Sequence, residues 1–470
     1  MLLVKVLFGE KRDVMSDHRK RFKKKQRMKL NATQIIAIGF AMIIFVGASL
    51  LTLPVASRSG ISCGFFPALF TATSATCVTG LVLFDTYTQW STFGQVVIIT
   101  LIEIGGLGFM SAASTVVFLL HKKVSLRQRM VIAQALNLND MDGVMRIQKL
   151  VLTGSLSIQG IGAAILFLRF LPLFGFKRAL AWGVFHSISA FCNAGFDLFG
   201  YIAPGQSVII FNDDPIVCLT LMALVTVGGL GFLVWEEMAR VRSFKKFSVY
   251  TKLVLLMTVG VLVFGTVIIA LLEWNNPATI GSMPVWQKIM NAFFQTGTLR
   301  TAGFVTIDQA MLTDATKAFS VLIMFVGGSS GSTAGGLKTV TIVVLLLFVW
   351  AKARGKQSVH IFKRNIPAEK ATDAMTVVFI TTSLSVAGAM VISACAAVPF
   401  VDAWFEAVSA ICTVGLTAAG TATLGVVSQM IIIAFMYFGR VGILTLSLGF
   451  LMGDKAKDRF QYADTSLLIG

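Results

Sequence analysis

The sequence reads as an all-α integral membrane protein in which four fused copies of a span, pore-loop, span module surround a pseudo-fourfold pore, giving eight membrane-spanning helices. Three observations carry that reading. Of 470 residues, 56% are hydrophobic and only 13% charged, whereas about a quarter of an average soluble domain is charged. Apolar runs of roughly the 20 residues a helix needs to cross a bilayer alternate with runs too short to do so. One glycine loop recurs four times at nearly constant spacing.

The elements follow in order. Met1 to Asn31 carries eleven Lys/Arg and lacks the short apolar core and small-residue cleavage site of a secretory signal, so residues 1–32 are expected to be a retained basic cytoplasmic tail. Module 1, residues 33–120, opens with the apolar run Thr33 to Val55, which stops at Pro54 and the polar SRSG. A short segment, Phe65 to Thr73, leads into the turn-prone TSATCVTGL, and a second full-length segment runs from Phe93 to Leu120. Module 2, residues 147–242, places Ala179 to Phe191 between the spans Leu150 to Phe170 and Ile216 to Met238. Module 3, residues 251–352, places Val285 to Gln295 between Lys252 to Leu272 and Lys317 to Trp350. Module 4, residues 371–453, places Val401 to Ile411 between Ala371 to Val398 and Val426 to Met452, and residues 454–470 form a cytoplasmic tail. The short segments are expected to be re-entrant pore helices.

The loops after the short segments read SATCVTGL, SAFCNAGF, GTLRTAGF and SAICTVGL, beginning at Ser74, Ser189, Gly297 and Ser409. Gly80, Gly195, Gly303 and Gly415 hold one register, 115, 108 and 112 residues apart. Three residues earlier stand Cys77, Cys192, Arg300 and Cys412. Each closing helix carries a second echo, read as GGLGF at Gly105, GGLGF at Gly228, GGSSG at Gly327 and FGRVG at Phe438. Self-similarity of this kind marks a repeat architecture.

In the third copy the echo opens into Gly327 to Thr339, GGSSGSTAGGLKT, a polar stretch inside an otherwise apolar segment. Broken helix at membrane depth is tolerated only against protein or a water-filled cavity, so the stretch is expected to line a path for something polar. Its likeness to GxxxxGK[ST] fails, because Leu337 separates Gly336 from Lys338 and an apolar segment rather than a strand precedes it.

Charge and side-chain chemistry narrow the function. The net charge of +18 does not indicate nucleic acid, since the basic residues sit in polar breaks between apolar segments. Thirty-one of the 40 Lys/Arg fall in the tails and in the breaks 121–149, 240–252 and 351–370, which assigns that side and both termini to the cytoplasm of a plasma-membrane protein. Six cysteines without a CxxC pair, and four histidines without ligand spacing, give neither a metal site nor a disulfide framework. No Ser/Lys pair, paired aspartates or HExxH marks an enzyme. A solute transporter with inverted repeats would show opposite charge bias in its halves, and here the modules share one orientation.

Four loops about one axis can aim rings of backbone carbonyls at a dehydrated cation. The residues expected to form that filter are Val78, Thr79 and Gly80; Asn193, Ala194 and Gly195; Thr301, Ala302 and Gly303; and Thr413, Val414 and Gly415. Glycine suits such a site because positive φ or a close backbone approach costs it no Cβ clash.

The motifs SATCVTGL, NAGF, RTAGF, TVGLT and above all GGSSGSTAGGLKT resemble the Trk/Ktr/HKT superfamily of potassium transporters, from about Thr33 to Met452. Trk-type subunits of that superfamily begin with an extra helix pair, whereas here the first span follows the basic tail directly, so the chain most resembles the Ktr-type membrane subunit. The resemblance implies potassium translocation through one narrow filter, K+ being the only metal ion held, with Na+ admitted as a coupling or activating ion. Glycine at Gly80, where serine in plant relatives accompanies sodium preference, favours potassium. It also implies a homodimer in the lipid bilayer and a cytoplasmic nucleotide-binding regulatory ring that binds ATP or ADP. This chain has no GxGxxG after a strand pattern, so the nucleotide would bind the partner. By the same resemblance the gate is Gly327, Gly328, Ser329, Ser330, Gly331, Ser332, Thr333, Ala334, Gly335, Gly336 and Lys338.

Several charges call for their own reading. Arg440, alone in the last apolar span, is expected to face the path and hold the gate loop, the competing reading being a tie between helices. Lys338 either places charge near the path or snorkels to the interface. Arg300 is expected to point behind the filter, to pore-helix carbonyls or to a carboxylate such as Glu406. Glu103 calls for a structural hydrogen bond, and Asp85, Asp197 and Asp308 either concentrate cations at the outer mouth or are merely solvated.

Overall fold

The apolar runs fold as helices throughout the computed structural model, which describes residues 32–108, 144–356, 358–362 and 364–442. The tails, the break at 121–143, and the ends of the expected spans at Leu120 and Met452 lie outside the described residues.

Helix α1, Ala32–Thr52, opens the first copy; α2, Phe65–Cys77, is its short helix, and after the single turn α3, Thr86–Gln89, it closes with α4, Thr92–Leu107. In the second copy the expected first span and short segment both lie within α5, Val144–Phe191, and are separated by a kink at Gly175, where φ of 72° and ψ of 167° are non-helical, three residues after Pro172. Its closing segment is α6, Pro215–Leu230, and α7, Phe232–Val241, bent by 92° at Gly231. The third copy comprises α8, Val249–Glu273, α9, Val285–Thr298, α10, Asp314–Met324, and α11, Thr339–Ala353; the expected span from Lys317 to Trp350 is thus two helices with the polar stretch between them. The fourth comprises α12, Ala368–Ala396, α13, Phe400–Ile411, and α14, Val426–Val441.

Between α11 and α12 a two-stranded antiparallel hairpin, β1, Val359–Ile361, with β2, Arg364–Ile366, departs from the all-α expectation. Val359, Ile361 and Ile366 are half-buried there, so the hairpin gives these residues cover that a solvated loop would not.

Local chemistry sets the helix ends. Asp85, Ser91, Asp214, Ser248 and Thr313 accept backbone N–H bonds as side-chain caps of α3, α4, α6, α8 and α10. Pro215 at the start of α6 loses no intrahelical bond there.

Among the described residues, four helices are long and apolar enough to cross a membrane, or five if α6 and α7 count as one bent span. Their outward faces are apolar: Met42 and Phe45 on α1, Val259, Val263 and Phe264 on α8, and Phe379 and Met390 on α12 are exposed. Apolar faces repeated on every long helix exceed what a soluble monomer leaves in water, and fit a lipid solvent.

The interior is inverted in the same sense. Ser74, Thr79, Ser189, Asn193, Thr298, Thr301, Ser409 and Thr413 are buried at the ends of the short helices. Each closing helix packs on the short helix of the next copy, α4 on α5, α6 on α9, α10 on α13, and α14 back on α2. The first and fourth copies therefore meet.

A buried ion pair joins the third and fourth copies, with Lys317 Nζ on α10 at 2.7 Å from Asp402 Oδ1 on α13. Replacing Lys317 with methionine strands that carboxylate, a loss on the order of 3–5 kcal/mol for a buried pair. A fall of several degrees in Tm of the detergent-solubilised protein is expected; an unchanged Tm would show that the pair does not hold these helices.

Candidate functional site

The four loops expected from the sequence converge. Within three residues of its end each short helix is followed by a left-handed residue two positions before the register glycine, Val78, Asn193, Thr301 and Thr413, with φ of 56°, 60°, 68° and 52°. Three of these are β-branched, for which αL costs roughly 1–2 kcal/mol, so one conformation held four times, with strain in three of them, points to a functional constraint on the backbone. The glycine that follows is also at positive φ in each loop.

These glycines lie against carbonyls of the next loop in cyclic order. A Cβ on Gly80 would fall 2.6 Å from Ala194 O, on Gly195 3.0 Å from Ala302 O, on Gly303 3.0 Å from Val414 O, and on Gly415 2.0 Å from Thr79 O. The order is first, second, third, fourth and back to the first. The structure thus brings together the four register glycines and the carbonyls of Thr79, Ala194, Ala302 and Val414, and the reason for glycine is the absence of room between neighbouring loops.

The second echo is a packing device. A Cβ on Gly105, Gly228 or Gly439 would stand 2.0, 2.0 or 2.1 Å from the carbonyl oxygen of Thr76, Phe191 or Ile411, each the residue before the loop cysteine. This corrects the fourth alignment, which starts at Gly439 rather than Phe438, because the close approach and not the letter pattern defines the register.

The polar stretch folds back on itself beside the loops. Gly327 N–H donates to Leu337 O at 3.0 Å, and Thr339 bonds Gly328 O through its N–H at 3.1 Å and Gly327 O through its hydroxyl at 3.1 Å. Ser332 Oγ donates to Ser329 O, and Lys338 Nζ to Ala334 O, at 2.7 and 3.0 Å. Lys338 therefore turns inward to its own loop, against the reading in which it snorkels to the interface.

The break at Gly231 frees backbone groups that the stretch satisfies. Ser329 N–H donates to Gly229 O, Thr333 N–H to Gly228 O, and Phe232 N–H to Gly331 O, at 3.0, 3.3 and 2.8 Å. Two broken helices thus complete each other's hydrogen bonding, as a non-aqueous solvent requires. Tyr250 Oη adds a bond to Ser330 O at 3.0 Å.

The stretch also touches the loops. Thr333 Oγ1 donates to Phe191 O at 2.9 Å, with the Asn193 amide beside it, and a Cβ on Gly335 would meet the Thr413 hydroxyl at 1.9 Å. Arg440 reaches in from α14: Nη1 donates to Thr333 O at 2.6 Å, and Nη2 to Gly105 O and to Gly106 O, the latter at 3.1 Å. One guanidinium thereby ties the stretch to the end of α4.

Other expectations resolve differently. Arg300 Nη2 lies 3.5 Å from Thr258 Oγ1 and from Gly327 O. The suggested Glu406 partner is corrected: that carboxylate accepts from the Thr421 hydroxyl of its own copy. Glu103 accepts from Gln159 Nε2 at 2.9 Å and Cys192 Sγ at 3.3 Å. Asp85, Asp197 and Asp308 each accept a backbone N–H in a turn, from Thr88, Phe199 and Ala310. His186 is structural, its Nε2 accepting from Leu198 N–H at 3.1 Å.

The sequence reading assigned no role to the hydroxyls at the loop starts. Gly80 N–H donates to Ser74 Oγ and Gly415 N–H to Ser409 Oγ, both at 3.1 Å, while Ser189 Oγ donates to Phe196 O at 2.7 Å and Thr298 Oγ1 to Phe304 O at 2.6 Å. The serine six residues before three of the four register glycines was the available signal. In the third loop Gly297 occupies that position and Thr298 supplies the hydroxyl from the next one.

Comparison with known proteins adds the following. Residues 14–458 match the TrkH family, described as cation transport protein. The potassium/sodium uptake protein NtpJ of Enterococcus hirae is 39% identical over 453 residues, 95% of this chain and 99% of that protein. The Ktr system potassium uptake protein B of Bacillus subtilis is 39% identical over 437 residues, 93% of this chain and 96% of that protein. Among solved structures, the potassium transporter TrkH of Vibrio parahaemolyticus shares the fold at a TM-score of 0.71, with 17% identity over 90% of this chain and 86% of that one.

Proposed function

We propose, for a chain that belongs to the TrkH family of cation transport proteins, that it takes up potassium ions across the cell membrane. The observation that carries this reading is the cyclic meeting of four strained loops, each glycine against the next loop's carbonyl. Rings of carbonyl oxygens replace the hydration shell of a dehydrated cation, and no covalent chemistry is involved. The names of the relatives, potassium/sodium uptake protein and potassium uptake protein B, support the ion and admit sodium as a second one.

In this reading eight spans in four modules surround a pseudo-fourfold axis, with both termini cytoplasmic. The filter is Val78 to Gly80, Asn193 to Gly195, Thr301 to Gly303 and Thr413 to Gly415. Residues 327–339 form the gate, latched by Arg440, and a cytoplasmic nucleotide-binding ring that responds to ATP or ADP moves it in a homodimer. The likeness to a Ktr B-type protein supports a membrane subunit that works with others.

The test is uptake in cells lacking their own potassium uptake systems. Expression should restore growth at low potassium and accumulate K+ well in excess of Na+, further enhanced by a cytoplasmic subunit. Equal uptake of both ions would remove the potassium assignment, and no uptake of either would remove the transport reading.

A further inference from the structure

The filter loops are held in two different ways, and the difference follows the residue after the glycine. The loops of the first and fourth copies continue with Leu81 and Leu416, those of the second and third with Phe196 and Phe304. In the leucine pair the hydroxyl at the end of the short helix accepts the glycine N–H, from Gly80 to Ser74 and from Gly415 to Ser409. In the phenylalanine pair the hydroxyl instead donates to the carbonyl after the glycine, from Ser189 to Phe196 O and from Thr298 to Phe304 O. All four hydroxyl-bearing residues are completely buried.

The consequence follows from peptide planarity. In a trans peptide the N–H of one residue and the C=O of the residue before it point in opposite directions. Anchoring Gly80 N–H to Ser74 therefore turns Thr79 C=O the other way, and Thr79 O is the atom that meets Gly415 where the loops converge. Anchoring Gly415 N–H to Ser409 does the same for Val414 C=O, which meets Gly303. In the other two loops the hydroxyl donates one residue further on, which directs the oxygens of Phe196 and Phe304 to the end of the short helix.

We infer that Ser74 and Ser409 are positioning residues that fix the Thr79 and Val414 carbonyls toward the ion, and that Ser189 and Thr298 remove the next carbonyl ring in the other two loops. The filter is then twofold in its support although fourfold in its outline. All four loops present a carbonyl to the next glycine, but only in the leucine pair does a serine hold the peptide that carries it, so loss of those serines lowers cation discrimination, whereas the hydroxyls of the phenylalanine pair set how tightly the ion is held. This inference rests on the filter reading above.

The experiment measures K+ and Na+ uptake by the full-length protein in uptake-deficient cells, with the amount in the membrane determined alongside. Ser74→Ala and Ser409→Ala each leave a buried N–H without its acceptor, and the K+/Na+ uptake ratio should fall about tenfold, the scale of one lost buried hydrogen bond. Ser74→Thr and Ser409→Thr keep the oxygen and should restore the ratio. Ser189→Ala and Thr298→Ala should change KM for potassium while the ratio stays within about twofold of the parent.

Should the alanine variants fail to reach the membrane, Ser74→Cys and Ser409→Cys decide, since the thiol keeps the size and accepts only weakly. A parental ratio in these variants, or equal losses in the threonine variants, overturns the inference. Gly80→Ser separates the two levels. If it collapses the ratio while the Ser74 and Ser409 variants do not, only the support role fails; if it too is without effect, the filter reading fails.

Discussion

Gly415→Ser is expected to remove most of the discrimination between potassium and sodium while leaving the protein in the membrane. The added Cβ would stand 2.0 Å from Thr79 O and 2.9 Å from Thr79 C, on a residue whose φ is +88°. Both neighbours are backbone, so no side chain can turn away to make room. Thr79 O or the Gly415 peptide must shift, and a coordinating carbonyl shifts with it. Gly80→Ser should act in the same direction, its Cβ falling 2.6 Å from Ala194 O at a φ of +101°. A displaced carbonyl of this kind should lower the K+/Na+ uptake ratio by about tenfold or more, since every 1.4 kcal/mol of differential binding is tenfold. Gly160→Ser is the control, because nothing lies within 4 Å of its Cβ position. A ratio unchanged in both filter variants would count against these loops as the selective element.

Arg440→Ala is expected to raise flux. Its guanidinium donates to the carbonyls of Thr333, Gly105 and Gly106, and so joins the polar stretch of the third copy to the closing helix of the first. Hydrogen bonds to charged groups contribute about 1.5–3 kcal/mol each. Loss of even one shifts the balance between latched and released loop by about tenfold or more. Potassium flux into vesicles containing the purified Arg440→Ala protein should exceed the parent's by about that factor, with Arg440→Lys intermediate because an ammonium lacks the planar fork. Flux no greater than the parent's, from protein that elutes as the parent does, would leave Arg440 as a tie between helices only. Deleting part of residues 327–339 should likewise raise flux, and a variant as tightly closed as the parent would remove the gate from this stretch.

Much of the architecture was legible because the membrane restricts the chain. Runs near 20 apolar residues must cross and shorter ones cannot, so the boundaries of α1, α8 and α12 follow the hydropathy closely. The kink inside α5 follows the sequence too, since Gly175, where the backbone is non-helical, falls between the separate runs Leu150 to Phe170 and Ala179 to Phe191. The small hairpin at 359–366 was missed. Its six ladder residues are too few for a periodic pattern to stand out from a polar connection.

The four register glycines were legible for a different reason. A close backbone approach admits only glycine, so the demand made four times in space is written four times in sequence, at Gly80, Gly195, Gly303 and Gly415. The partners of Arg300, Lys338 and Glu103 were not, because a buried polar group needs only some acceptor or donor within reach, and many residue types supply one. Lys338 found a carbonyl four residues back, and Arg300 found the start of the polar stretch rather than Glu406.

Residue types and spacing thus decided where helices run, which segments are too short to cross, and which positions must be glycine, because lipid and steric exclusion act on each residue locally. Folding in three dimensions decided which carbonyl faces which glycine, how Arg440 reaches a carbonyl 335 residues away in sequence, and that the loop-start hydroxyls serve two distinct bonds. These depend on the direction of individual donors and acceptors, which packing between distant helices sets and local sequence does not.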